Sequence, residues 1–126
     1  MPTLDESLHR VLMMAGARAA ALIDVGTGMV VRAAGKTGTD LPDALQAAAA
    51  SLADEARVAT SSLGQAHPGG DLDQIMVTTT ARVHLTKVLE FRQGDALLLF
   101  VDFDRALTNQ ALAALQVGEL APALLA

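Results

Sequence analysis

Apolar residues near the start of the chain recur at helical spacing. Leu4, Leu8 and Val11 fall on one face of a helix. The segment Thr-Leu-Asp-Glu at 3–6 matches a capping box, in which Thr accepts from a backbone N–H and Glu reaches back to another. The pattern therefore predicts a first helix that runs from this box to about residue 15.

Two runs of small and branched residues, 18–24 and 29–33, flank a Gly-Thr-Gly tripeptide at 26–28. Glycine adopts positive φ without steric cost, so this arrangement is typical of a β-hairpin. An alanine-rich helix after Gly16 is the alternative, but the glycines leave room for only a short one. A phosphate-binding loop is disfavoured, because no lysine follows the glycines and a strand, not a helix, comes next.

The longest predicted element is a helix that begins at residues 40–43 and continues through 44–66. An acidic cap and a proline in the first turn are typical of a helix start. Its apolar stripe comprises Leu45, Ala48, Leu52, Ala56 (or Ala59) and Leu63. Its polar face carries Gln46, Asp54, Arg57, Ser61 and Gln65. We therefore expect an amphipathic helix with one face against the sheet and the other in solvent.

Three further extended runs follow this helix. Residues 74–80 are β-branched, and residues 96–101 are continuously apolar, as in a central strand covered on both sides. Residues 83–91 alternate between two faces, one with Val83, Leu85, Leu89 and Phe91 and the other with His84, Thr86 and Glu90. These runs complete a set of five predicted strands.

Asp102 or Asp104 is expected to cap a last helix, and residues 119–126 are expected to fray. The residues expected to point inward from that helix are Leu107, Ala111, Ala114 and Leu115. The order αββαβββα predicts one domain over 1–126 of the α/β (α+β) class, with a five-stranded antiparallel sheet, helices on both faces and a profilin-like outline.

Composition excludes several classes of function. The chain has 126 residues, a net charge of −5 and 2% aromatics, so it lacks the basic stripe and stacking rings of a nucleic-acid binder. It has no cysteine, which removes disulfides and thiolate chemistry. Its longest aliphatic run, 96–101, is far shorter than a membrane span, and no signal-peptide pattern opens the chain. We expect a cytoplasmic protein without membrane insertion.

Candidate chemistry is sparse. The histidines are His9, His67 and His84, and the last shares a strand face with Thr86 and Glu90, which could orient a base. A polar, solvent-facing strand surface is the favoured interpretation. No catalytic, cofactor-binding or metal-ligating residue is nominated, and we expect the chain not to be an enzyme. An activating protein can insert an arginine into the active site of a GTPase as a catalytic arginine finger. The candidates by residue type are Arg32, Arg57, Arg82 and Arg105. We interpret each of them as a surface charge instead.

The element order and several segments resemble the roadblock/dynein-light-chain family, in particular its bacterial, actinobacterial-like branch. Ala-Leu-Ile-Asp at 21–24 leading into Thr-Gly-Met-Val at 27–30 resembles the family's first hairpin, and residues 73–79 resemble its third strand. Residues 99–113 resemble its fifth strand and final helix. The resemblance implies a homodimer, or a pair with a sibling chain, that binds a small Ras-like GTPase as a scaffold or activating protein. For bacterial members the resemblance also implies a role in a signalling system that contains a sensor kinase.

The strand at 74–80 is predicted to lie at an edge of the sheet, without Lys, Pro or a bulge to protect it. Pairing with its own copy about a two-fold axis would satisfy its free backbone groups. The residues assigned to this dimer interface are Ile75, Val77, Thr79, Ala47, Ala50 and Val58. The residues assigned to partner binding, on the polar face of the long helix, are Asp54, Arg57 and Ser61.

Two other functions are compatible with the sequence. One is a structural dimer that anchors a protein regardless of nucleotide state. The other is a small-ligand sensor of profilin-like shape, which needs a cavity. The alanine-rich composition and the lack of Trp and Tyr argue against a large aromatic-lined pocket.

Overall fold

The computed structural model describes residues 3–35, 48–58, 73–89 and 97–125. Its helices and strands are α1 (Leu4–Leu12), β1 (Ala17–Asp24), β2 (Met29–Gly35), α2 (described over 48–58), β3 (Gln74–Thr78), β4 (Arg82–Leu89), β5 (Leu97–Asp104) and α3 (Gln110–Leu120). Two 3₁₀ turns, Arg105–Leu107 and Ala121–Leu125, flank α3. The predicted order of elements is confirmed, while the helix start at 40–43 lies outside the described residues.

The five strands form one antiparallel sheet in the order β2-β1-β5-β4-β3. Residues 97–101 of the central strand β5 are all apolar, as expected for a strand that is covered on both faces. Leu99 and Val101 pack in the cluster that holds α1 and α3, whereas Leu98 and Phe100 pack in the cluster that holds α2. The predicted five-stranded sheet with helices on both faces is therefore confirmed.

The first helix begins at the predicted capping box. Thr3 Oγ1 accepts from the Glu6 amide at 3.2 Å, and Glu6 Oε2 accepts from the Thr3 amide at 3.1 Å. The helix ends at Leu12, three residues before the predicted limit. Gly16 follows with φ of 80°, and a Cβ there would collide with the Thr108 hydroxyl, so only glycine fits this turn.

The β1–β2 hairpin is built on Asp24. Its carboxylate accepts from the Gly26 amide at 3.2 Å and from Thr27 Oγ1 at 2.9 Å. Gly28 has φ of 70° and lies so close to α2 that a Cβ would stand 3.3 Å from the Ala50 Cα. The predicted hairpin is confirmed, and its second glycine has a packing role as well as a conformational one.

The inward face of α2 differs from the predicted stripe. Ala56 is buried as predicted, but Ala49 and Ala53 are buried as well, while Ala48 and Leu52 of the predicted stripe are only half-buried. The alanines face the sheet because their small side chains let the helix backbone approach it closely, as at Gly28. The remaining members of the predicted stripe, outside the described residues, are Leu45, Ala59 and Leu63.

The β3–β4 hairpin corrects two expectations. The strand ends at Thr78, and Thr79 belongs to the turn, where its hydroxyl accepts from the Arg82 amide at 2.9 Å. Thr86 is buried and His84 half-buried, so this strand face is covered where a solvated surface was expected. Val83, Leu85 and Leu89 pack in the core as predicted, and Glu90 and Phe91 lie outside the described residues.

The C-terminal region differs most from expectation. Asp102 lies within β5, Asp104 caps the short 3₁₀ turn, and Asn109 caps α3 by accepting from the Leu112 amide at 3.1 Å. The helix buries Ala113 and Val117. Of the residues expected to face inward, Leu107, Ala111 and Leu115 are exposed and Ala114 is half-buried. In the tail, Ala121 and Leu124 are buried in the core.

Candidate functional site

The edge strand β3 is straight and regular. Its five residues pair with β4 from Gln74↔Lys87 to Thr78↔Val83 without a register shift. It stands last in the strand order, so one side of its backbone has no strand partner within the described part of the chain. A regular edge with free N–H and C=O groups is a template for another strand. The predicted position of this strand at a sheet edge is confirmed.

Side chains of β3 alternate between the two faces of the sheet. Met76 is paired with Leu85 and packs against the core that holds α1 and α3. Ile75 and Val77 therefore project to the face that carries α2. Ile75 is half-buried and Val77 is 44% exposed, so this face of the edge remains accessible and apolar.

The outer face of α2 combines an ion pair with apolar side chains. Arg57 Nη2 lies 2.7 Å from Asp54 Oδ1, and both side chains are largely exposed. Ala50 is exposed, and Val58 is 65% exposed. An ion pair this exposed adds little to stability, about 0–1 kcal/mol, so the fold does not depend on it. Charged and apolar groups on one open helix face fit a protein-binding surface.

Most residues assigned from the sequence therefore lie on accessible surface of β3 and α2. Ile75 and Val77 lie on the edge strand, whereas Thr79 lies beyond its end with its hydroxyl engaged in the turn. Of the assigned residues on α2, those that are accessible are Ala50, Asp54, Arg57 and Val58. Ala47 and Ser61 lie outside the described residues.

Sequence reasoning missed a charged cluster behind the edge. Arg82 Nη1 lies 3.2 Å from Asp102 Oδ2, and His84 Nε2 lies 3.2 Å from Asp102 Oδ1. The His84 ring also meets Phe100 edge to face, with centroids 5.2 Å apart. Because His84 is the β4 partner of Val77, this cluster fixes the strand directly behind the exposed edge residue.

The two carboxylate oxygens of Asp102 have different contacts, which its place in the sequence does not indicate. Oδ2 accepts a hydrogen bond from Arg82, but Oδ1 is buried and the His84 contact lacks hydrogen-bond geometry. The only sequence signal was the position of Asp102 at the end of an apolar run, which also fits a helix cap. The pairing of His84 with Asp102 shows that Asp102 lies inside the sheet and is not a helix cap. This pairing is evident only once the β4–β5 register is known.

The described residues show neither a metal cluster nor a membrane helix. Within 3–35, 48–58, 73–89 and 97–125, no group of three or more His, Asp or Glu side chains is arranged to hold a metal. Over the same ranges, no helix is both long and apolar enough to cross a bilayer.

Solved structures share this arrangement over nearly the whole chain. The gliding protein MglB from Thermus thermophilus is similar at 21% identity and a TM-score of 0.78, covering 96% of this chain and 84% of that chain. A Roadblock/LC7 domain from Streptomyces avermitilis is similar at 18% identity and a TM-score of 0.78, covering 98% and 95%. This chain has the Roadblock/LC7 fold.

A third solved structure gives the same result. Myxococcus xanthus MglB is similar to this chain at 17% identity and a TM-score of 0.75, covering 96% of this chain and 90% of that chain. No family model and no curated protein matches the sequence. At these identities the likeness establishes the fold. In this Roadblock/LC7 fold the open edge is β3, and α2 alone covers the adjoining face of the sheet within the described residues.

Proposed function

We propose that the chain is a homodimeric binding module that docks a small Ras-like GTPase and regulates it, as a scaffold or as an activating protein. The observation that carries this proposal is the regular, unprotected β3 edge beside the open face of α2. The roadblock resemblance of the sequence implies the GTPase, and the Roadblock/LC7 fold supports that implication. One structural neighbour is described as a gliding protein, which fits a role in cytoplasmic signalling or cell polarity.

The dimer follows from the edge. Two β3 strands related by a two-fold axis would pair antiparallel and extend one sheet across both subunits. Val77 and Val58 would leave water in such a pair, each contributing on the order of 1 kcal/mol from its exposed area. The main-chain bonds of the new ladder would satisfy the backbone groups that β3 leaves free.

The GTPase would dock on the outer faces of the two α2 helices. Asp54 and Arg57 present both signs of charge within one turn of helix, and the contact between them is already formed at 2.7 Å. A partner with complementary charges would meet a preorganised pair, so less side-chain freedom is lost on binding. Arg57 is the residue on this surface whose removal should weaken docking most.

Three of the four arginines considered as a finger are engaged within their own chain. Arg57 binds Asp54, Arg82 binds Asp102, and Arg105 donates to the carbonyl oxygen of Thr79 at 2.8 Å. Inserting any of them into a GTPase site would break that contact. The arrangement favours regulation through the GTPase's own catalytic residues, which docking on α2 would reposition.

Binding to a cognate Ras-like GTPase tests the proposal. The GTPase is immobilised in GDP and GTP-analogue states, and the chain is compared with its Arg57→Ala and Arg32→Ala variants. We expect stronger binding to one nucleotide state, about tenfold loss for Arg57→Ala, since a hydrogen-bonded charge is removed, and no change for Arg32→Ala. Arg32 lies on β2 at the far edge of the sheet, which makes it a matched control.

The outcomes separate the proposed function from its alternatives. Equal binding in both nucleotide states would favour a structural scaffold that is indifferent to nucleotide. Absence of binding in both states would reject the GTPase as a partner. A metabolite that stabilises the chain in a thermal-shift panel, with no GTPase binding, would favour a ligand sensor.

A further inference from the structure

The helix α3 is apolar on both of its faces. Ala113 and Val117 are buried against the sheet, and the opposite face exposes Leu112 by 48% and Leu115 by 60%. Leu107, just before the helix, is 66% exposed. A helix that is hydrophobic all round is normally covered on all sides. We name Leu107, Ala111, Leu112 and Leu115 the α3 patch.

The size of the α3 patch indicates what could cover it. Met13, 84% exposed, lines a shallow hollow between α1 and α3 beside the patch, together with Arg10, Gln116, Glu119 and Leu120. The exposed apolar area is on the order of a few hundred Å², at the upper end of what a lone subunit carries. A specific interface needs about 1,000 Å² in total, roughly half from each side, so two copies of this patch reach that size together with Met13 and the polar residues around the patch.

The charges at the ends of α3 indicate an antiparallel arrangement. The helix has no acidic residue in its first turn and no basic residue in its last, where Glu119 stands exposed instead. A negative charge at the C-terminal end opposes the helix dipole. In an antiparallel pair, each Glu119 would lie beside the N-terminal end of the other α3, where that charge is favourable.

Two further features of α3 fit such a pair. Gly118 lies on the same exposed face as Glu119, and none of the described residues comes within 4 Å of the position where its Cβ would be. Its missing side chain allows another helix backbone to approach. Arg105, whose Nη1 donates to the Thr79 carbonyl oxygen, is exposed beyond the N-terminal end of the helix, at the end that Glu119 of another copy would reach.

We propose that the α3 patch is a second self-association surface, on which α3 of another copy packs antiparallel about a two-fold axis. This surface lies on the face of the sheet opposite α2 and does not involve β3, so it is independent of the proposed function. With pairing at β3 as well, the chain assembles beyond a dimer. Without pairing at β3, the α3 patch alone gives a dimer.

The complete lack of cysteine in this chain makes a direct test possible, because an introduced thiol has no competitor. Leu112→Cys and Leu115→Cys are oxidised at low micromolar concentration and compared with Met29→Cys. Met29 is 57% exposed on β2, so it matches the test residues in exposure but lies far from the patch. We expect linked dimers at least tenfold faster from one of the α3 variants than from the control.

Light scattering of the full chain provides the second readout. We expect Leu115→Lys to halve the average mass, because two ammonium groups would meet near the axis, and Glu119→Lys to lower it less. Circular dichroism confirms that each variant folds. A mass unchanged by Leu115→Lys, or cross-linking no faster than from Met29→Cys, would overturn the proposal.

The same data distinguish this proposal from the one at β3. If Val77→Lys leaves the mass unchanged while Leu115→Lys reduces it, pairing at β3 fails and the α3 pair stands. If only Val77→Lys reduces the mass, the α3 pair is rejected and the β3 dimer stands. A mass halved by each variant, and reduced to one subunit in the double variant, supports both.

Discussion

The two edges of the sheet are similar in hydrophobicity and different in regularity. Val31 on β2 is 52% exposed and Val77 on β3 is 44% exposed, so exposure alone does not separate them. The register separates the two edges. Arg32 and Val30 of β2 pair with Leu22 and Ile23 of β1, which leaves Val31 as an extra residue in a bulge. The pairing of β3 has no such interruption.

The difference shows how one sheet can direct association to one side. A bulge twists the edge and interrupts its ladder, and a charged residue beside it discourages pairing further. β2 has both, since Arg32 follows the bulged Val31. β3 has neither within Gln74–Thr78. The sheet is therefore protected at one end and open at the other.

Of the changes considered, Val77→Lys should have the largest effect on association through the β3 edge. Two ammonium groups would meet near the axis of a β3 pair, and like charges so placed cost several kcal/mol. We expect a dimer dissociation constant raised by about a hundredfold or more, measured by sedimentation or light scattering at micromolar concentration. Val31→Lys is the matched control at the other edge and should leave association unchanged. An average mass in Val77→Lys equal to that of the parent chain would contradict the proposed β3 interface.

Deleting Val31 should remove the bulge that protects the β2 edge and allow that edge to associate. Without this residue, Val30 and Arg32 become consecutive and match Ile23 and Leu22 without a bulge. The regular β2 edge should then associate, giving species larger than those of the parent chain in light scattering. If the deletion folds and its mass is unchanged, the bulge is not what protects β2.

Asp102→Ala should have an intermediate effect, on stability. It removes the acceptor of the Arg82 hydrogen bond behind the open edge. Arg82 and His84 are more than a third exposed and can be solvated, so the loss should be that of the one hydrogen bond, about 1 kcal/mol. Urea unfolding should show this loss in the free energy of unfolding. Equal stability of the variant and the parent would show that the cluster does not fix β4.

Asp54→Ala should have the smallest effect of the series. Its ion pair with Arg57 is exposed on α2, so the free energy of unfolding should change by less than about 1 kcal/mol. The urea midpoint measured beside that of Asp102→Ala provides the comparison. A loss as large as that of Asp102→Ala would mean that the outer face of α2 has a structural role.

Local signals predicted much of this fold from the sequence. The capping box at 3–6, the Gly-Thr-Gly turn and the apolar run of β5 each depend on a few neighbouring residues, and each is found where expected. The edge position of β3 was predicted as well and is confirmed. These features need no knowledge of what packs against them.

Features that depend on packing or register were missed. α3 is apolar all round, so its sequence has no period to show that Ala113 and Val117, not Leu115, face the core. The bulge at Val31 and the contacts of Asp102 exist only once strands are aligned. The interface residues Ile75, Val77, Ala50 and Val58 stay a prediction.

Amide hydrogen exchange at rising protein concentration compares the two edges within one molecule. If the sheet associates through its regular edge, exchange across residues 74–78 should slow more than tenfold as the chain self-associates, while residues 29–35 keep their rate. Protection that appears at 29–35 instead, or a doubled mass with no change at 74–78, would contradict this account.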